Sequence, residues 1–402
     1  MTAPIAVLAG VVGALIGSFA NVVVHRLPRR ESIVFPGSHC PSCNHRLGPL
    51  ELVPIFSFLA LRGRCRSCGA AIGWRYPVVE AIMTALFVAL ALNWPPVLYG
   101  ATFLPAAVVL AMLVMAAAID LDHYTLPDAL TLPALALAVV GSLLYAPLSG
   151  LPTPAEALAG AATGAGVLLL INRLGALVLR RFADTRERLW PISLDQANLA
   201  AVAGAFGGWQ IGLAVGAASV LVNLISRRTL RLPEGPLYGL WVVGLVLSTT
   251  SFTVSPSAAI AGSVVAAGTF ALVGSFYWWL HDALQADETS GAEAAAAVAG
   301  TADAASGTAD EQADEQADDE PVAMGFGDVK LAAVLGALLG WEAFLVGLLL
   351  AVIAGALGGI AARLAGGDRV VPFGPALVLG GVLALFLGHD ILSWYLGLLG
   401  GA

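Results

Sequence analysis

Long apolar runs separated by short polar, Gly or Pro breaks dominate the chain. The first covers residues 4–24 and is followed at once by His25-Arg26-Leu27-Pro28-Arg29-Arg30. Such a run, coiled as a helix, crosses the roughly 30 Å of a bilayer core. A cleavable leader carries its basic residues before the apolar stretch, so this run reads as a membrane helix that stays. Its basic flank predicts an outside N-terminus and a cytoplasmic segment over 25–75. Further apolar segments lie near 77–95, 98–119, 129–147, 155–179, 196–207, 209–226, 237–254, 257–280, 330–340, 342–362 and 373–399. Two of them, 196–207 and 330–340, are short for a span and read as half-helices or hairpin arms facing a protein interior. The pattern predicts an all-α polytopic membrane protein with about twelve transmembrane segments.

Composition agrees: of 402 residues 58% are hydrophobic and 11% charged, which excludes an ordinary water-soluble domain. The 19 basic residues lie at 26–75, 173–188, 227–231, 330 and 363–369, all cytoplasmic in this topology. The net charge of −8 is local, because 12 of the 27 acids fall between Asp282 and Glu320. That insert, 282–320, is rich in Ala, Gly, Ser and Thr and reads as a disordered linker. It ends eight residues before Asp328, on the predicted cytoplasmic face.

The chain repeats itself. Asn198-Leu-Ala-Ala-Val-Ala-Gly-Ala-Phe-Gly-Gly-Trp209 matches Lys330-Leu-Ala-Ala-Val-Leu-Gly-Ala-Leu-Leu-Gly-Trp341 at an offset of 132. Upstream, Pro154-Ala-Glu-Ala-Leu-Ala-Gly160 resembles Pro256-Ser-Ala-Ala-Ile-Ala-Gly262; downstream, Pro233-Glu-Gly-Pro236 resembles Pro372-Phe-Gly-Pro375. The expected organisation is a first helix at 1–24, a cysteine loop at 25–76, helices carrying Asp120 at 77–152, a degenerate unit at 153–254 and its counterpart at 255–402. The copies diverge before the matched helix. Met324-Gly-Phe-Gly-Asp-Val-Lys330 stands in the second, whereas the first places Gln196 opposite Asp328 and Asn198 opposite Lys330, the chain's single lysine. Copy one therefore reads as structural.

Ionisable residues at the ends of apolar segments are the first candidates for chemistry. Asp120 closes one segment and opens Asp120-Leu-Asp-His-Tyr-Thr-Leu-Pro-Asp128; Asp328 opens another on the same predicted face. Two carboxylates brought together there can share a proton, as in aspartic proteases. Gly325 and Gly327 suit the approach of an extended substrate to Asp328, with Lys330 beside it. The bland alternatives are helix-end acids, the preferred reading for Asp122 and for Asp128 after Pro127, and a metal ligand for His123.

Cys40-Pro-Ser-Cys43 and Cys65-Arg-Ser-Cys68 have the spacing of two knuckles around one tetrahedral metal. Four thiolates leave no open position, so a zinc there is structural and organises a small cytoplasmic Cys₄ loop. A redox dithiol or an iron site shares the spacing. Arg62, Arg64 and Arg66 suit the headgroups of anionic membrane lipids, and nothing calls for nucleic acid.

Ile119-Asp120 with Leu126-Pro127-Asp128, Gly325-x-Gly-Asp-x-Lys330-Leu331, Pro372-Phe-Gly-Pro375, Gly17-Ser-Phe-Ala-Asn21-Val and the two Cys pairs together resemble the prepilin leader peptidase family, over 1–147 and 256–399. The resemblance implies a membrane aspartic endopeptidase of the bacterial cytoplasmic membrane, serving type IV pilus and type II secretion systems. Its implied substrates are prepilins and pseudopilins, cleaved on the cytoplasmic face by aspartates at Asp120 and Asp328. It also implies methylation of the new N-terminus from S-adenosylmethionine, with the loop at 25–76 associated with that activity. Two other classes fit parts of the pattern: a secondary transporter built from parallel repeats, and a non-catalytic assembly scaffold. A transporter draws on both repeats, whereas Gly-x-Gly-Asp stands in one; a scaffold does not need both aspartates.

Overall fold

The computed structural model describes residues 2–145, 149–179, 191–250, 253–298, 325–364 and 372–398. They form the helices α1 (Thr2–Arg26), α2 (Phe56–Ala60), α3 (Arg75–Asn93), α4 (Pro96–His123), α5 (Asp128–Gly141), α6 (Pro154–Leu179), α7 (Leu194–Ser226), α8 (Glu234–Ser248), α9 (Pro256–Val298), α10 (Phe326–Leu364) and α11 (Phe373–Leu398). No strand occurs among the described residues, only two isolated bridges in the cysteine loop. Among the described residues eight helices are long and apolar enough to cross a membrane; residues 128–144 and 235–248 form shorter apolar ones. The all-α polytopic architecture is as the pattern predicts.

Two of the long helices are broken. Gly208 in α7 has φ 78° and ψ 179°, and Gly340 in α10 has φ 76° and ψ 167°, values that a side chain would strain. They are 132 residues apart, at the duplication offset. In α7 the chain folds back at the break: a Cβ on Gly212 would lie 2.9 Å from the carbonyl of Ala200 and 3.2 Å from Gly204, which no straight helix permits. The expectation of about twelve crossings counts the arms of each broken helix, and the two shorter helices, separately.

The chain divides into two compact units, residues 1–161 with 330–402, and residues 162–329. In the first, α1 presents Gly10, Gly13 and Gly17 to α3. A Cβ on Gly17 would lie 2.7 Å from Glu80 Cα, and one on Gly13 2.6 Å from the Met83 carbonyl. Without a hydrophobic drive inside lipid, such close approach gains its stability from dispersion contact along the seam. Asn21, buried at the end of this seam, donates to the carbonyls of Gly17 and Tyr76 and satisfies its amide within the apolar bundle. The first arm of α10 is wholly enclosed, Leu331 to Leu335 each at most 1% exposed, as expected for an arm inside the protein. Gly336 on that arm meets Gly160 of α6 backbone to backbone, and Gly347 meets Gly380 of α11 likewise.

In the second unit the rest of α6 packs on α9 through Gly166 against the Val264 carbonyl and Gly268 against the Ala162 carbonyl, while Gly204 of α7 meets Gly262 of α9. Trp278 donates to the carbonyl of Ile192 at 3.0 Å and Trp241 to Ser263 at 3.0 Å. These contacts obey the duplication. Gly160 and Gly262 are equivalent, as are Gly336 and Gly204, so each copy's first helix packs against the second helix of the other copy. Along α6 and α9, Gly166 and Gly268 exchange equivalent contacts. Each of these contacts joins a helix of one copy to a helix of the other.

Helix α9 runs on to Val298, into the insert expected to be a disordered linker. Ala294 to Ala297 are strong helix formers and carry the backbone hydrogen bonding onward. Residues 299–324, the rest of that insert with Met324, lie outside the described residues.

Candidate active site

Asp120 lies near the C-terminus of α4 and is 5% exposed. The helix ends because Tyr124 adopts a left-handed φ of 54° and returns its N–H to the Asp120 carbonyl at 2.9 Å. Pro127 is extended and starts α5, so Asp120 to Asp128 form a polar turn between two apolar helices. The N-terminus of α11 is laid on the Asp120 carboxylate. The Gly374 N–H hydrogen-bonds it, and a Cβ at Gly374 would lie 2.5 Å from Oδ2. Free N–H groups in a helix's first turn stabilise an anion, and only glycine lets the backbone come so near.

The other acids of the turn are paired. Asp122 accepts from Arg75 at the start of α3, and Asp128 accepts from Lys330 Nζ at 2.5 Å. Asp128 makes no cap bond, the N-cap being Pro127; its place in the fold is the ion pair that ties α5 to the first arm of α10. Lys330, expected beside a substrate, is held in that pair. Asp328 stands one half-turn earlier on α10, 8% exposed, its N–H directed to the Gly325 carbonyl at 3.2 Å. A Cβ on Gly325 would meet nothing closer than 4.0 Å, so packing does not require glycine there.

Copy one carries other residues at the positions equivalent to Asp328 and Lys330. Gln196, opposite Asp328, closes a capping box: its Oε1 accepts from the Ser193 N–H at 2.7 Å and from the Ser193 hydroxyl at 2.8 Å. Asn198, opposite Lys330, is buried, with Nδ2 making no hydrogen bond and Oδ1 accepting from Tyr238 at 3.5 Å.

The two cysteine pairs fold identically, 25 residues apart. Cys40 and Cys65 donate their N–H to the carbonyls of His45 and Ala70, at 2.9 and 2.8 Å, and accept from Asn44 and Gly69, at 2.8 and 2.9 Å. Asn44 and Gly69 supply the positive φ, 55° and 74°, that turns each knuckle. The four Sγ atoms lie within 4.8 Å of one another, with Cys40 to Cys68 at 3.9 Å and Cys43 to Cys65 at 4.0 Å. Bonds of about 2.3 Å from a tetrahedral metal imply sulfur separations of about 3.8 Å, so the cluster has the dimensions of a metal site. The N–H groups of Ser42 and Cys43 lower the Cys40 thiol to about 6. The His45 N–H acts in the same direction on Cys43, but burial and the adjacent thiols push it up to about 12. Four thiolates this close repel, and a divalent cation removes the repulsion.

Reading the sequence missed Glu80, 8% exposed within an apolar segment, whose carboxylate accepts the Ile55 N–H at 2.7 Å. The signal was present, an acid inside a span. It also missed the direct contact of Gly374 with Asp120, although Pro372-Phe-Gly-Pro375 stood out as a motif.

Long apolar helices that bury carboxylates near their ends, together with a four-cysteine loop, define a polytopic helical membrane protein. The chain belongs to the type IV leader peptidase family, whose model matches residues 107–226 and again 225–360. The model of the bacterial peptidase A24 N-terminal domain matches residues 11–94. The chain is 39% identical over 212 residues to a prepilin leader peptidase/N-methyltransferase of Myxococcus xanthus, covering 52% of this chain and 58% of that protein. It is 36% identical to one of Pseudomonas aeruginosa, covering 50% and 71%. A type 4 prepilin-like proteins leader peptide-processing enzyme of Escherichia coli is 32% identical, covering 57% and 89%. No solved structure matches the chain. The resemblance carried by the motifs is borne out.

Proposed function

We propose that this chain is a prepilin leader peptidase of the bacterial cytoplasmic membrane. It removes leaders from type IV prepilins and pseudopilins with Asp120 and Asp328, and methylates the exposed N-terminus. The observation that carries the reading is the Asp120 carboxylate, buried at a helix end with the Gly374 N–H on it. One of the two carboxylates, ionised, takes a proton from water as the water oxygen attacks the scissile carbonyl, and the other, protonated, donates to that carbonyl. The C–N bond then breaks and the leaving amine takes up a proton. The Lys330–Asp128 pair holds the first arm of α10, and Gly325 leaves room for an extended leader.

The basic segments face the cytoplasm in this reading, and with them the active site. Zinc is the metal that suits four thiolates and a structural role. S-adenosylmethionine supplies the methyl group when bound, and the arginines of the cysteine loop rest on anionic lipid. Incubating the detergent-solubilised protein with a prepilin, and determining the product's mass and N-terminal residue, tests both activities. An intact substrate overturns the peptidase, and a cleaved but unmethylated product in the presence of donor overturns the second activity.

A further inference from the structure

A cavity of about 410 Å³ opens on the cysteine loop between α2 and the start of α3. Phe58 is its floor. That ring is buried, Gly63 lies so close over it that a Cβ there would stand 3.0 Å from Cζ, and the Trp74 ring leans on it at 5.0 Å between centroids. Arg62 and Gly63 take left-handed φ values of 53° and 67°, which turn the chain back after α2 and bring Arg62 and Arg64 to the same cavity. The Ile72 N–H closes the turn on the Gly63 carbonyl at 2.7 Å.

The charge on this cavity is unbalanced. Among the described residues neither Arg62 nor Arg64 makes an ion pair, whereas Arg75, just beyond Trp74, is paired with Asp122. Two guanidinium groups on one cavity without a counter-charge call for an anion with several acceptor oxygens. Arg66, the third arginine of the loop, is not among the walls. The rim is apolar and open. Trp74 is 72% exposed and Leu59 59%, and Phe56 on the same short helix is exposed beside them. Trp74 is also the N-cap of α3, a helix long enough to span a membrane, and the Arg75–Asp122 pair sets the start of α3 against the end of α4. Asn21, near the end of α1, reaches the Tyr76 carbonyl. Three membrane helices therefore end at the level of Trp74, which puts the cavity at the bilayer surface, where tryptophan is favoured.

From this set we infer that the cavity holds one anionic phospholipid of the leaflet it faces, with the phosphate between Arg62 and Arg64 and the glycerol and first acyl carbons over Leu59 and Trp74. The inference rests on the lipid contact proposed above and turns a diffuse attraction by arginines into a site with a stoichiometry of one. A ligand that is anionic at one end and apolar at the other satisfies both the guanidinium groups and the rim. A soluble acidic segment, such as this chain's own residues 282–320, would meet the arginines but leave Trp74 and Leu59 in water. Held in this way, the lipid ties the cysteine loop to the membrane beside α3.

The test is native mass spectrometry of the full-length protein in detergent, titrated with phosphatidylglycerol and, separately, with phosphatidylcholine, whose headgroup has no net charge. Wild-type protein takes up one phosphatidylglycerol in preference. The double variant Arg62→Ala, Arg64→Ala binds phosphatidylglycerol about 25-fold more weakly, about fivefold for each arginine, and phosphatidylcholine as before. Arg62→Lys with Arg64→Lys, which keeps the charge, retains most of the preference, and Trp74→Ala weakens both lipids. Arg363→Ala, an exposed arginine in the last turn of α10, matches wild type. An equal loss in Arg363→Ala overturns the site and leaves the diffuse lipid contact standing, whereas a wild type without preference overturns both. Displacement of phosphatidylglycerol by excess inorganic phosphate would mark a plain anion site, and displacement by a soluble peptide of residues 301–320 a site for the chain's own acidic segment; either overturns the lipid assignment. Prepilin cleavage by the same wild-type sample is read separately, so failure of the lipid site leaves the peptidase standing.

Discussion

Replacing Gly374 by Ala adds one methyl group at the most sensitive contact of the candidate site. The added Cβ would lie 2.5 Å from Asp120 Oδ2, 3.2 Å from its Cγ and 3.6 Å from its Cβ. Carbon and oxygen in ordinary contact stand about 3.4 Å apart, so something must move by nearly 1 Å. The α4 backbone is poorly placed to yield, since Ala116, Ala118 and Ile119 around Asp120 are buried. The carboxylate therefore swings away or the α11 N-terminus lifts, and either change breaks the bond from the Gly374 N–H. Overpacking of this kind costs about 1–3 kcal/mol of stability, which a large membrane bundle tolerates. A displacement of about 1 Å at a reacting group costs on the order of 100-fold in rate, so loss of turnover is the dominant effect. The assay is prepilin cleavage in detergent with kcat and KM determined separately, alongside thermal unfolding. Gly374→Ala is expected to lose roughly 100-fold in kcat with KM nearly unchanged. Gly358→Ala, where a Cβ meets nothing within 4 Å, is the control and is expected to match wild type. A Gly374→Ala protein with wild-type kcat would refute the placement of Asp120 at the reacting centre.

Asp120→Asn and Asp328→Asn are each expected to abolish cleavage while leaving the melting temperature close to wild type, whereas Asp195→Asn keeps full activity; a loss in Asp195→Asn as deep as the others would make copy one catalytic. Elemental analysis is expected to find one zinc per chain in protein purified without chelator, and Cys40→Ser to lower that content and harm methylation more than cleavage, because the aspartates stand on other helices. Gly160→Leu, whose side chain would enter the Gly336 backbone, is expected to reduce cleavage by at least about tenfold by displacing the first arm of α10; unchanged cleavage would show that copy one does not support that arm.

The helices, the glycine breaks and the cysteine knuckles were legible in the sequence because each is written locally. An apolar run, a Gly before Trp209 or Trp341, and a Cys-x-x-Cys each impose their geometry on their own neighbours. Asp120 and Asp328 stood out because charge is costly at a membrane. The partners of the other acids did not, since Lys330 and Asp128 are 202 residues apart and nothing in either segment names the other. Asp128 read as a cap because it follows Pro127, and the tertiary pair prevailed over the local preference. Glu80 was passed over because the segment around it reads well as a plain span. The helical stretch to Val298 was missed because composition argues about burial, whereas alanine-rich backbone forms helix from its own propensity.

The least legible feature was the choice of partner among Gly/Ala faces, and it changes what the duplication means. Ala/Gly seams are nearly interchangeable in chemistry, so sequence alone favours each copy folding on itself. The contacts run the other way. Gly160 of copy one seats Gly336 of copy two, Gly262 of copy two seats Gly204 of copy one, and Gly166 and Gly268 exchange equivalent contacts along α6 and α9. An exchange of identical elements between copies is how a domain-swapped dimer is held, and joining two such copies in one chain preserves it. Copy one has Gln196 and Asn198 where copy two has Asp328 and Lys330, and its first helix packs on the arm that follows Asp328. On the proposed reading, in which Asp328 and no residue of copy one carries the chemistry, copy one still cannot be deleted without removing half of each seam.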